Sequence, residues 1–161
     1  MKLWAALGPA PLRRTAPALG LVLLGLAGSA GLAGCGSDDP QPGPMAGTAA
    51  CTALGGRLPE RVLDRPRTKL AVAGAAAWGD PAIVLRCGVE PAGPSDNPCA
   101  EYDGVDWVFT ETKDVFRFVT YHRTPAVEVT VPTSIGRTTT PGALIDLAKA
   151  VAPIPKTDVC T

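Results

Sequence analysis

The sequence predicts an α+β domain: a single antiparallel sheet of four or five strands in a meander, with an N-terminal and a C-terminal helix on one face. Three observations carry this reading. Apolar and β-branched residues alternate with polar ones, or cluster by side, through residues 105–111, 115–121 and 127–131, the period of a strand. The breaks between those runs are short enough for hairpin turns. Apolar residues at helical spacing flank the run of strands at both ends.

In chain order, residues 1–34 divide into the parts of a secretory signal. Lys2, Arg13 and Arg14 form a positive front, residues 16–32 are uncharged and rich in Leu, Ala and Gly, and small residues lead to Cys35. As a membrane span the apolar run would be at the short limit, and its glycines weaken a permanent helix. The tetrapeptide Leu32-Ala33-Gly34-Cys35 resembles the bacterial lipobox, in which the thiol takes a diacylglyceryl group before cleavage. Cys35 is therefore the expected lipidation site. Buried acyl chains contribute ~0.8 kcal/mol per methylene, enough for two long chains to hold a protein on a membrane. The expected location is the extracytoplasmic face of the cell membrane.

Residues 35–48 read as the lipid-anchored Cys and a disordered Pro/Gly-rich tether, with too little apolar surface to offset the entropy of ordering. The α+β domain then occupies residues 49–161. Residues 49–63 read as one helix or two short ones, with Cys51, Leu54 and Leu58 on one face. Gly55-Gly56 weakens the middle and Pro59 interrupts it. Residues 64–77 fit either strand or loop. Residues 83–87 form a short apolar strand stopped by Gly88, and 88–102 read as a loop. After the three alternating strands, Thr140 is expected to cap a closing helix with Pro141 at its first position. Leu144, Leu147, Ala148 and Val151 share one face of that helix.

The chain has fifteen basic and fifteen acidic residues. Three of the basic ones lie in the leader, so the mature part carries twelve against fifteen, a net charge of −3. With no basic stripe, nucleic acid is not an expected partner.

Apart from Cys35, the cysteines are Cys51, Cys87, Cys99 and Cys160. An even number in an exported chain reads as two disulfides, with three possible connectivities. The favoured pairs are Cys87–Cys99, stapling the long loop, and Cys51–Cys160, joining the first helix to the tail. A zinc site would lack any CxxC pair, so no metal is expected.

Paired cysteines leave no thiol nucleophile in the domain. His122 sits at a strand end, and Ser37, Ser95 and Ser134 all lack a nucleophile-elbow context. Glu101, Asp103 and Asp106 surround Gly104 without a full calcium ligand set. There is no glycine-rich phosphate loop and no dinucleotide fingerprint, so no cofactor is expected.

The segment Trp78-Gly79-Asp80-Pro81-Ala82-Ile83-Val84-Leu85-Arg86-Cys87-Gly88-Val89 resembles the signature of a family of small actinobacterial lipoproteins, domain of unknown function 3515. The resemblance continues through Gly104-Val105-Asp106-Trp107, Thr120-Tyr121, Arg123, Val127-Glu128-Val129 and Val131-Pro132, with Cys51, Leu54, Leu58 and Pro59 upstream. It covers nearly the whole domain. It implies a cell-envelope lipoprotein and supplies no activity. Where such sequences favour Gly between the Tyr and the Arg, this chain has His122, which separates that residue from chemistry general to the family.

Three functional classes follow. The first is a non-catalytic envelope lipoprotein that binds a protein partner or scaffolds an assembly, for which exposed apolar surface would speak. The second is a binder of a small ligand or cell-wall glycan built around Trp78 and Trp107, with Trp78 the better candidate and Asp80, Arg86 and Arg123 as companions. The third is a hydrolase using carboxylates such as Asp80 and Asp106 across a cleft. Arg86 interrupts an apolar strand, so its guanidinium must reach solvent or a carboxylate. A bidentate pair with Asp80, Asp106 or Glu128 is expected.

Overall fold

The computed structural model describes residues 39–93 and 96–160; the leader, Cys35, Ser37 and Ser95 lie outside them. In chain order the elements are α1 (Ala49–Gly55), β1 (Arg61–Val62), β2 (Arg65–Thr68), β3 (Ala75–Trp78), β4 (Ile83–Val89) and β5 (Cys99–Tyr102). There follow β6 (Val105–Glu111), β7 (Val115–Thr120), β8 (Ala126–Pro132), a 3₁₀ turn at Thr133–Ile135, and α2 (Thr140–Val151). All eight strands join one sheet, in the order β1-β2-β3-β4-β8-β7-β6-β5, and every neighbouring pair is antiparallel. Two four-stranded meanders are thus sewn together where β4 meets β8.

The α+β class and the antiparallel meander agree with the sequence; the expected four or five strands are too few. The additional strands are those with the weakest alternation. β1 has two residues, β2 is Arg-Pro-Arg-Thr, β3 is rich in Ala, and β5 lies in the stretch read as loop. Such segments gain little from their own side chains and become strands by pairing with a neighbour. One of them carried a local signal. Asp103 and Gly104 have φ of 50° and 80°, the left-handed pair of a two-residue hairpin turn, for which Asp-Gly is a preferred dipeptide. Leu63 and Asp64, at 48° and 58°, do the same between β1 and β2.

At the N-terminal end the helix is shorter than expected. α1 stops at Gly55, and Arg61–Val62 pairs with β2 instead. At the other end, α2 starts at Thr140, but Thr140 is no N-cap. Its hydroxyl donates to the carbonyl of Gly136 at 2.9 Å, and the preceding Thr139 makes no side-chain cap bond.

One face of the sheet carries the core. Ile83, Leu85 and Cys87 of β4, Trp107 of β6, Phe116 and Phe118 of β7, and Val127, Val129 and Val131 of β8 pack with residues of both helices in a single cluster. α1 adds Cys51 and Leu54, and α2 adds Leu144, Leu147 and Val151. Each fully buried aliphatic or aromatic side chain contributes roughly 1.5–3 kcal/mol, which is why α2 holds its place on the sheet. Among the described residues, the opposite face carries a small apolar cluster of Val89, Val119 and Ala126, with Ala92 packed against it.

The disulfides are Cys51–Cys87 and Cys99–Cys160, so the expected pairing is corrected. The reason is strand register. Cys87 pairs across with Val127, on the helix-bearing face, where α1 brings Cys51. Cys99 lies opposite Val108, which aligns with Val119 on the other face. Cys87 and Cys99 therefore point to opposite sides of the sheet and cannot meet. The chain after α2 rounds the end of the sheet, where Thr157 N–H donates to the carbonyl of His122 at 3.0 Å, and reaches Cys99. Two such bonds point to an extracytoplasmic domain.

The stretch expected to be a tether is part of the fold from Asp39 onward. Gly43 N–H donates to the carbonyl of Cys87 at 3.2 Å and Met45 N–H to that of Gly88 at 2.9 Å. The Asp39 carboxylate accepts from the amide of Ala71 at 3.1 Å, and Arg86 Nε donates to the carbonyl of Gln41. Gly43 and Gly88 permit this close approach. A Cβ on Gly43 would strike the Gly88 backbone, and one on Gly88 would strike Met45 and Ala46. Low apolar content is offset here by backbone hydrogen bonding to the bulge between Cys87 and Val89.

Candidate ligand-binding site

A cavity of about 240 Å³ opens between the start of α2 and the β5–β6–β7 end of the sheet. Strand alternation builds its walls. Trp107 and Phe109 of β6 and Phe116 and Phe118 of β7 all project to the helix-bearing side, with Phe109 directly opposite Phe118. The Phe109 ring lies 5.2 Å from that of Phe118 and 6.2 Å from that of Phe116. The space exists because the neighbouring elements offer small side chains. β5 places Ala100 across from Trp107, and the first turn of α2 supplies Thr140 and Pro141. Pro98, Tyr102 and Arg137 complete the lining.

Two polar features distinguish this cavity. Trp107 is fully buried, and its indole Nε1 has no hydrogen-bond partner. An unmet buried donor costs about 1–3 kcal/mol and calls for an explanation. Arg137 lies over the aromatic wall, its guanidinium carbon 5.6 Å from the Phe109 ring centre and 5.5 Å from that of Phe116. It also pairs with Glu111, so its charge is already matched. The start of α2 adds little pull on an anion, because the amides of Thr139, Thr140 and Gly142 are all bonded to nearby carbonyls. The cavity thus offers aromatic walls and no unbalanced charge, while the unpartnered Trp107 Nε1 is buried rather than open to it.

The residues named from the sequence fall elsewhere. Trp78, the preferred aromatic, is fully buried in the core and donates its Nε1 to the carbonyl of Pro59 at 3.0 Å. Its donor is spent. Trp107 is also a core residue, as the apolar face of β6 implies, and it lines the cavity beside Phe109. Asp80 is exposed in the β3–β4 turn and Asp106 is buried at the start of β6. The register sets them at opposite ends of the sheet, with no cleft between them.

Arg86 meets one of its three expected partners, but with different geometry. Its Nη1 donates to Glu128 Oε1 at 2.9 Å, while Arg117 Nε takes Oε2 at 2.6 Å. The carboxylate is shared by two arginines rather than gripped by a fork from one.

Arg123 is 2% exposed and acts inside the fold. Its Nη1 donates to the carbonyls of Ala152 and Ile154 after α2, and Nη2 to that of Gly104 at 3.3 Å. Burial lowers its pKa below the usual arginine value, and the nearby Asp106 carboxylate opposes that shift. Asp106 accepts from the Cys160 amide at 3.3 Å and faces Lys156 Nζ at 3.5 Å. Arg123 and Asp106 thus knot the tail to the sheet. His122, with φ of 47°, meets the Thr157 hydroxyl through Nδ1 at 3.4 Å and the Tyr121 ring at 4.2 Å between centroids. Cys35, the expected lipidation site, lies outside the described residues.

Residues 32–159 match a family model described as a protein of unknown function (DUF3515). No curated protein matches the chain, and no solved structure does.

Proposed function

The chain belongs to the DUF3515 family, and we propose that it is a lipid-anchored, non-catalytic cell-envelope protein that binds a small neutral ligand in the aromatic cavity. The observation that carries the binding reading is the wall of aromatic rings, Phe109, Phe116 and Phe118, with Arg137 over it. A flat ring stacks against Phe109, Phe116 and Phe118. A glycan suits the cavity less, because its many hydroxyls would find few polar partners there. At about 240 Å³ the space is slightly below the ~300–1,000 Å³ of drug-sized sites and takes roughly one ring.

The anchor rests on the lipobox-like Leu32-Ala33-Gly34-Cys35, where the family match begins. Removal of residues 1–34 would leave Cys35 as the lipid-bearing N-terminus, with the domain outside the cytoplasm. A second reading is that of a partner-binding module, in which the ring belongs to a side chain of another envelope protein. The small volume of the cavity favours it. The wider apolar patch expected of a scaffold finds less support, since Ile145 and Val159 are the exposed large hydrophobics among the described residues.

Screening neutral one-ring fragments by ligand-observed NMR tests the site. Binders are expected to lose roughly threefold to tenfold in affinity against Phe109→Leu, which removes one ring of the wall. Fragments that bind wild type and Phe109→Leu equally, or only charged fragments binding, would overturn the assignment.

A further inference from the structure

We propose that the domain is held against the membrane through the loop between β2 and β3, residues 69–74. The inference rests on the lipid anchor at Cys35 proposed above and is independent of the aromatic cavity. Its starting point is where the fold begins. Asp39 is fixed by the amide of Ala71, Gln41 by Arg86, and Gly43 and Met45 by the backbone of β4. Only Gly36, Ser37 and Asp38 separate Asp39 from Cys35. Even fully extended, that connection spans at most about 14 Å. A lipid at Cys35 therefore keeps the surface around Asp39 at the headgroups, whatever conformation the three residues take.

That surface has the chemistry for the position. Lys69 is exposed and has no ion pair among the described residues. Leu70 and Val72 are only half-buried, and Ala71 and Ala73 are exposed. Glu60 and Arg67 share the adjoining concavity with Lys69 and Leu70, so their charges offset each other and Lys69 remains. A cation beside small apolar side chains suits the boundary between anionic headgroups and acyl chains. The carboxylate of Asp39 is turned to the Ala71 amide. The committed occupant is thus the bilayer surface rather than a protein.

The mature chain with its disulfides intact has one free thiol, Cys35. It can be coupled to a maleimide lipid in phosphatidylglycerol vesicles that contain a brominated lipid. Two variants each introduce one indole: Leu70→Trp in the loop and Val159→Trp in the exposed tail beside Cys160. The second site lies by β5, five strand spacings from β3, or about 24 Å across the sheet. The introduced indole of Leu70→Trp is expected to lose most of its emission to the bromines, while that of Val159→Trp keeps its emission. Equal quenching at both positions, or none in the loop, would overturn the docking. Chemical coupling separates this result from the anchor itself: docking through position 70 with no lipid on Cys35 in cells refutes the anchor. Lipid on Cys35 with no preference for position 70 refutes the docking.

Discussion

Arg86 holds Glu128 through a single nitrogen, Nη1 to Oε1 at 2.9 Å, because Arg117 occupies the other carboxylate oxygen. Glu128 is nearly buried, its side chain 5% exposed, whereas Arg86 and Arg117 are 32% and 43% exposed. The costs of removing the partners are therefore unequal. Either arginine alone leaves the carboxylate one cation, and Arg86→Ala or Arg117→Ala is expected to cost about 1 kcal/mol. The double substitution strands a buried charge and should cost roughly 3–5 kcal/mol, more than the two single losses together. Arg86→Lys keeps the charge but cannot also reach the Gln41 carbonyl, so it should recover only part of the loss. Urea unfolding of the wild type and the four variants measures this, and strict additivity of the two Ala losses would show that the two cations act independently.

The disulfide connectivity makes a mapping prediction. Digestion without reductant should release Cys51 joined to Cys87 and Cys99 joined to Cys160. The bonds close loops with sequence separations of 36 and 61 residues, each contributing roughly 4 kcal/mol in the chain-entropy model. Cys99→Ser with Cys160→Ser should lower the melting temperature and free the tail, read as faster exchange of the Cys160-region amides. Recovery of a Cys87–Cys99 peptide would contradict the two-faced register of β4 and β5.

Trp78 and Trp107 predict opposite responses to the same substitution. Trp78→Phe removes a donor from the Pro59 carbonyl and leaves that acceptor in the interior. Trp107→Phe removes a donor that has no partner. Both lose ring volume, so Trp78→Phe is expected to be the more destabilising by about 1–3 kcal/mol. Thermal unfolding without ligand decides it. Equal losses would mean that the Trp107 indole N–H is satisfied in solution.

The anchor predicts that a fatty-acid probe fed to cells marks the wild type and not Cys35→Ser. Mass spectrometry of the wild type should find Cys35 at the N-terminus, with residues 1–34 removed. Equal labelling of both proteins would exclude the lipid at Cys35.

Some of this molecule is determined by local sequence alone. β4, β6, β7, β8 and α2 form where alternation or helical spacing is strong, because each such segment presents one continuous apolar face that only one backbone conformation can bury. The even cysteine count likewise signals cross-links, since an oxidising compartment leaves few free thiols. Tertiary structure decided the rest. β1, β2, β3 and β5 owe their conformation to hydrogen bonds lent by neighbours; nothing in the Arg-Pro-Arg-Thr run of β2 reveals a strand, and only the Asp-Gly turn marks β5. The disulfide partners followed from which face of the sheet each thiol occupies, and a single step in register reverses that choice. Trp78 and Trp107 are both fully buried. Only the positions of the Pro59 carbonyl beside one indole and the small residues of β5 and α2 beside the other made the first a core residue alone and the second also the wall of a cavity.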